Sequence, residues 1–160
     1  MRRISLVACV LWALAATACG PKNIPGLAIE LSDTPEHRAL LSVLDRFKQA
    51  FEREDVDALV ALASPRFYEN AGTNETDDDY NYEGLREHFT EHFEKVEKPS
   101  LDIHLRDVSI EEDEAIVDYR YVTRYLMQLP SGEKWKVTDD INRMKLIREE
   151  NGDWKILSGM

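Results

Sequence analysis

The chain has 160 residues, enough for one domain with a core of its own, and 31 acidic against 20 basic side chains give it a net charge of −11. Such a balance disfavours a working surface for nucleic acid or anionic lipid headgroups. Its two cysteines, Cys9 and Cys19, both precede the predicted domain, so no internal disulfide framework is expected.

In chain order the first predicted element is an export signal. Arg2 and Arg3 precede an apolar run from Ile4 to Ala16, and Thr17-Ala18-Cys19-Gly20 follows. A core of about 13 residues fits the ~7–15 of a secretory signal and falls short of the ~18 needed to span a bilayer. Positive flank, apolar core, small residues and cysteine in that order resemble the lipoprotein signal of bacteria. The resemblance implies that a cysteine is lipidated and becomes the mature N-terminus. Leu6-Val7-Ala8-Cys9 has the better lipobox letters, but only about five residues stand between it and the arginines, too few for a signal core. Cys19 is therefore the predicted lipidation site, with ordinary cleavage near Ala18 as the alternative. Gly20 is not the aspartate that retains lipoproteins in the inner membrane, so the resemblance implies an outer-membrane lipoprotein facing the periplasm, or the cell surface, of a Gram-negative bacterium. Acyl chains contribute ~0.8 kcal/mol per buried CH₂, so several anchor firmly.

The division expected is 1–18 signal, 19–32 lipidated cysteine and flexible tether, and 33–160 domain. The mature chain carries 18 basic and 31 acidic residues. Asp33-Thr34-Pro35-Glu36 reads as a helix start, followed by Leu40, Leu44, Phe47 and Phe51 on one face. A short second helix from Asp55 or Asp57 carries Val56, Leu59 and Leu62 and breaks at Ser64-Pro65. Beyond an acidic loop, Thr73 to Gly84, a third helix runs from Tyr82 to Val96 and Pro99 stops it.

Alternation begins at Leu101. Strands are predicted at Leu101 onward, Ala115 to Leu129, Lys134 to Arg148, and Trp154 to Ser158. Glu111-Glu112-Asp113 and Pro130-Ser131-Gly132 are turns, and Asn151-Gly152 is a two-residue hairpin signal. Centring the long hairpin on Ser131-Gly132 pairs Leu126 with Val137, Arg124 with Asp139 and Val122 with Ile141, at the cost of Arg120 against Arg143. The other face pairs Val117 with Leu146, Tyr119 with Met144, Tyr121 with Asn142, Thr123 with Asp140 and Tyr125 with Thr138. Turning at Asn151-Gly152 sets Leu157 beside Leu146 and puts Trp154 and Ile156 on the first face. The second face grades from apolar to aromatic and polar. Helices covering its apolar end leave a polar-lined concavity, the usual form of a ligand pocket.

Helix, short helix ending Ser64-Pro65-Arg66-Phe67-Tyr68, third helix, then a long antiparallel sheet closing on Trp154-Lys155-Ile156-Leu157: this order resembles the nuclear transport factor 2-like fold, which includes ketosteroid isomerase-like and SnoaL-like proteins. Residues 35–160 carry the likeness. It implies an α+β fold, a cone-shaped curved antiparallel sheet packed on three N-terminal helices. The family hosts isomerases, dehydratases, cyclases, hydrolases and noncatalytic binding modules, so the fold does not give the function.

His88-Phe89-Thr90-Glu91-His92 matches the H-x-x-E-H zinc-peptidase pattern, but those enzymes need a further ligand from another helix, and the pattern reads more simply as a charged helix face. Asp77-Asp78-Asp79-Tyr80-Asn81 has calcium-like oxygen spacing, yet Tyr82 and His88 occupy the glycine and glutamate positions of an EF-hand loop. No metal and no cofactor is predicted. Asp118, Arg120, Arg124 and Asp139, which resemble the Asp-Arg-Asp set of limonene epoxide hydrolase-like proteins, fall on the face opposite the pocket as cross-strand ion pairs. Asp140 is the candidate general base, as in ketosteroid isomerase-like enzymes. The predicted pocket is Tyr68, His88, Tyr121, Thr123, Tyr125, Asp140 and Asn142. The first sheet face, with Ile116, Val122, Ile141, Ile147, Trp154 and Ile156, is too apolar to be wholly solvated, so either a homodimer through it or a terminal segment covering it is expected. The leading expectation is a noncatalytic, membrane-anchored domain that binds a small ligand or peptide. An isomerase or dehydratase using Asp140, and an envelope assembly component, are the alternatives.

Overall fold

The computed structural model describes residues 22–70 and 79–160. Cys9, Cys19 and the signal segment, and Asp77 and Asp78 of the acidic run, lie outside the described residues.

Three helices pack against a curved four-stranded antiparallel sheet. Helix α1 (Pro35–Glu52) starts at Thr34, whose side chain accepts the His37 N–H at 3.1 Å. Helix α2 (Val56–Leu62) is capped by Asp55, which accepts the Ala58 N–H at 3.0 Å. Strands β1 (Tyr68–Glu69) and β2 (Tyr80–Asn81) form a short antiparallel pair that alternation did not reveal. Helix α3 (Tyr82–Glu94) follows, capped by Asn81 on the Gly84 N–H at 3.1 Å. The large sheet runs β3 (Val96–Glu111), β4 (Glu114–Leu129), β5 (Gly132–Arg148), β6 (Trp154–Ser158), each neighbour antiparallel. Leu40, Val43 and Phe47 of α1, Leu59 of α2 and Leu85 and Phe89 of α3 pack on Val117, Met144, Leu146 and Ile156 to form the core.

Four expectations change. Val96 and Pro99 belong to β3, not to the end of a helix. The proline is tolerated because β3 is an edge strand, and its register shifts between Glu97 and Ser100 where Lys98 takes φ 53°. The β4–β5 turn sits on Pro130-Ser131, with Leu129 paired to Gly132, so every predicted pair moves by two. A two-residue slip keeps each side chain on its face. It also places Asp118 opposite Arg143, bonded at 2.7 and 2.8 Å, and gives Arg120 to Asp139. The predicted Arg120–Arg143 repulsion is thereby removed.

The β5–β6 connection is longer than a two-residue turn. Arg148 pairs with Trp154, and Asn151 Oδ1 accepts the Asp153 N–H at 3.0 Å inside the loop. Leu146 therefore pairs with Ile156 rather than Leu157, an odd-numbered slip that exchanges the faces of β6. Trp154 and Ile156 lie in the core, and the outer face loses both. That face still exposes Trp135, Val137 and Ile141, each more than half accessible, among the Arg120–Asp139, Arg124–Asp102 and Arg143–Asp118 pairs.

The stretch expected as a flexible tether is also folded from Lys22 onward. Ile24 N–H donates to the Leu31 carbonyl at 2.8 Å, Asp33 N–H donates to Lys22 at 2.6 Å, and Leu31 is buried. These residues form a strap beside Leu41 and Leu44 of α1 and Ile103 and Leu105 of β3.

Candidate functional site

The concave sheet face and the helices enclose two connected spaces. The inner one is a cavity of about 240 Å³ between Phe47 and Phe51 of α1, His88, Phe89 and His92 of α3, and the aromatic end of β4 and β5. Alternation puts Tyr119, Tyr121, Thr123 and Tyr125 of β4 on this face beside Thr138 and Asn142 of β5. Helical spacing puts His88 and His92 one turn apart on the face of α3 that meets them. Among the described residues no aspartate or glutamate lines this cavity.

His88 stacks on Tyr80 with ring centroids 4.1 Å apart and planes within 11°. His92 lies between Phe51 (5.8 Å) and Tyr125 (5.9 Å). Its Nε2 is buried and has no hydrogen-bond partner among the described residues. Burial lowers the pKa of both imidazoles. For His92 the neighbouring His88, Lys95 and Lys136 push the same way. For His88, Glu91 and Glu69 oppose burial without overcoming it. Both rings are thus held towards the neutral form. An unfolded histidine titrates near 6.5, so below that value the unfolded chain binds more protons than the native one. The stability these rings allow is complete above about pH 6.5 and is lost as pH falls through that value towards the lower native pKa. We expect the double variant His88→Phe, His92→Phe to melt with a smaller drop than the parent between pH 7.5 and 5.5. An equal drop in calorimetry would refute the neutral assignment.

At the inner end Asn142 Nδ2 donates to the Tyr119 hydroxyl at 3.2 Å, and that hydroxyl donates to the Gly159 carbonyl at 2.9 Å. Burial holds the Tyr119 phenol well above its ordinary range. The Gly159 N–H donates to Glu69 at 2.6 Å, which ties β1 to the end of β6. Tyr80, packed on Phe67 and His88, is pushed up to about 12, by burial first and by Glu69 second.

The outer space is an open groove of about 1310 Å³. Tyr68, Glu69, Glu87 and Glu91 form one wall, and Ile141, Arg143 and Lys145 the other. His88, Tyr121, Asn142 and Met160 line both spaces.

Of the residues predicted for the pocket, His88, Tyr121, Thr123, Tyr125 and Asn142 come together in the inner cavity. Tyr68 lies outside it, exposed in the groove wall with its hydroxyl on Asp79. Asp140 faces Tyr121 across the strands but is exposed, accepts the N–H of Ile141 at 2.7 Å, and lines neither space. The burial among aromatics on which its role as a base was argued is absent. Phe47, Phe51 and Phe89 were expected only as core, and His92 and Tyr119 were not counted in the pocket. The signal for His92 was its place four residues after His88, and for Tyr119 its place two residues before Tyr121. Among the described residues no cluster of three or more His, Cys, Asp or Glu is placed to hold a metal.

This arrangement, three helices closing a curved sheet over an aromatic cavity, defines a domain of the nuclear transport factor 2-like class. Residues 44–155 match the SnoaL-like domain, and the chain belongs to that family. Solved structures agree in fold. A ketosteroid isomerase-like protein from Erwinia carotovora atroseptica is 18% identical, with a TM-score of 0.62 over 79% of this chain and 94% of its own. A proposed scytalone dehydratase from Novosphingobium aromaticivorans is 12% identical, with a TM-score of 0.65 over 78% and 80%. A nuclear transport factor 2-like superfamily protein from Salmonella enterica serovar Typhimurium is 12% identical, with a TM-score of 0.62 over 76% and 86%. No curated protein matches the chain in sequence.

Proposed function

We propose that this SnoaL-like domain binds a small ring-bearing molecule in its inner cavity and serves as a binding domain anchored to the outer membrane through a lipidated Cys19. The observation that carries the binding reading is the buried, unpartnered Nε2 of His92 in a wall made mostly of aromatic rings. Buried polar atoms are nearly always bonded, and leaving one unpaired costs about 1–3 kcal/mol, which a ligand hydroxyl recovers. A space of 240 Å³ exceeds the ~150 Å³ that admits benzene and falls short of the ~300 Å³ where drug-sized sites begin. One substituted ring is the right size. Imidazoles held towards the neutral form suit a neutral hydrogen-bonding group, so a phenol is the natural probe.

A second reading has one observation in its favour. His88 and His92 are neutral imidazoles sharing a cavity with Tyr121, which is the equipment of proton transfer. An isomerase or dehydratase built here uses a histidine as base, since Asp140 is exposed. The outer sheet face, apolar at Trp135, Val137 and Ile141 between three neutralised ion pairs, suits a second copy of the same acidic chain. An assembly role in the envelope would use the same surface.

Native mass spectrometry of the full chain, extracted in detergent from its own cell envelope, tests these points together. We expect a chain beginning at acylated Cys19, dimeric, carrying a small molecule. An unacylated mass ends the anchored reading, a monomer ends the homodimer, and a protein that arrives empty and takes up no phenol ends the binding reading. A molecule recovered chemically altered after incubation favours the enzyme. His92→Phe is expected to keep the fold and to lower phenol affinity about tenfold, the loss of one good hydrogen bond.

A further inference from the structure

The inner cavity and the outer groove meet at a neck formed by His88, Tyr121, Asn142 and Met160. Three of the four are held. His88 is stacked on Tyr80, Asn142 is bonded to the Tyr119 hydroxyl, and Tyr121 stands on β4 within 6.2 Å of Tyr119. Met160 is the fourth, an unbranched side chain of the type that fills irregular gaps between packed neighbours. Its backbone is directed by Gly159, clamped on one side by Glu69 and on the other by the Tyr119 hydroxyl. Gly159 takes φ +83°, and a Cβ there would run into the Arg143 and Met144 backbone. The clamp brings Met160 to the neck, where it is partly buried against the core.

We infer that Met160 is a specificity-determining residue: it separates a two-compartment site and sets the length of the ligand it accepts. The ring occupies the inner cavity, and a substituent para to its polar group must pass the thioether to reach the groove. The ligand class follows: a hydroxylated ring with a short alkyl arm in the parent protein, and a longer arm when the partition is removed. This inference rests on the ligand-binding reading above.

The test is calorimetric titration of 4-ethylphenol, 4-butylphenol and 4-hexylphenol into the parent, Met160→Ala and Met160→Leu proteins. In the parent, affinity should rise from ethyl to butyl, as each added methylene buries more apolar surface, and fall at least about tenfold at hexyl, where the arm meets Met160. Met160→Ala should raise the hexyl-to-ethyl affinity ratio about tenfold over the parent's. Met160→Leu should keep the parent's profile. Parallel profiles in the parent and Met160→Ala, with binding retained, overturn the partition and leave the pocket standing. No binding of any phenol by either protein overturns the pocket itself.

Discussion

Ile156→Ala is expected to cost about 2–5 kcal/mol of stability, and Leu157→Ala clearly less, although the two residues are adjacent. Ile156 is fully buried, pairs with Leu146 and lies in the core beneath the helices. Its backbone also ties α2 to the sheet, through a parallel bridge to Ala63 and the Ser64 N–H donated to its carbonyl at 2.8 Å. Truncation leaves a cavity in the core beside Leu146 and Ala63 that a rigid strand cannot close. Leu157, half-buried beside the register shift of β5 and β6, leaves much less behind. Urea unfolding measures both. Equal losses, or the larger loss at Leu157, would mean that β6 presents its other face.

The second large effect is at Gly159. Substitution by alanine forces a non-glycine residue to φ +83° and drives its Cβ into the backbone of the neighbouring strand. The conformation alone costs about 1–3 kcal/mol, and relieving the collision breaks the bonds to Glu69 and Tyr119. Gly152→Ala is the control. Gly152 has φ +86°, but nothing lies within 4 Å of its added Cβ. At roughly 2–4 °C per kcal/mol for a chain of this size, Gly159→Ala should melt several degrees below Gly152→Ala. Equal melting temperatures would show that the Gly159 clamp contributes nothing.

Much of this fold is legible in the amino-acid order because its signals are local. Thr34-Pro35 and the four-three-four spacing from Leu40 to Phe51 specify α1, and strict alternation in β4 and β5 assigns each side chain to a face. The face assignment survives a register error because the slip is even. It fails in β6, where the slip is odd: Asn151-Gly152 carries a hairpin signature but sits in a longer loop held by Asn151 and Asp153. Pro99 misleads because its tolerance depends on β3 being an edge, a property of the assembled sheet. The site is half legible for the same reason. Tyr121, Thr123, Tyr125 and Asn142 follow from alternation, whereas the depth at which Asp140 stands depends on where the helices stop covering the sheet. His92, four residues after His88, is tied to the cavity once α3 is laid against Tyr125.

The folded strap has a consequence for how such a protein meets its surroundings. The strap's hydrogen bonds include the Lys22 carbonyl, which accepts the Asp33 N–H, and Lys22 stands three residues after Cys19. At about 3.3–3.6 Å per residue three residues reach at most about 10 Å, so the acyl anchor proposed at Cys19 would leave a leash no longer than that. That is shorter than the domain's own radius of gyration, about 14 Å by the usual scaling. Under the proposed anchoring the domain would stay at the headgroup layer and search in two dimensions rather than sweep the space beyond. Under that proposal, ligands that partition into the lipid surface would be concentrated within its reach.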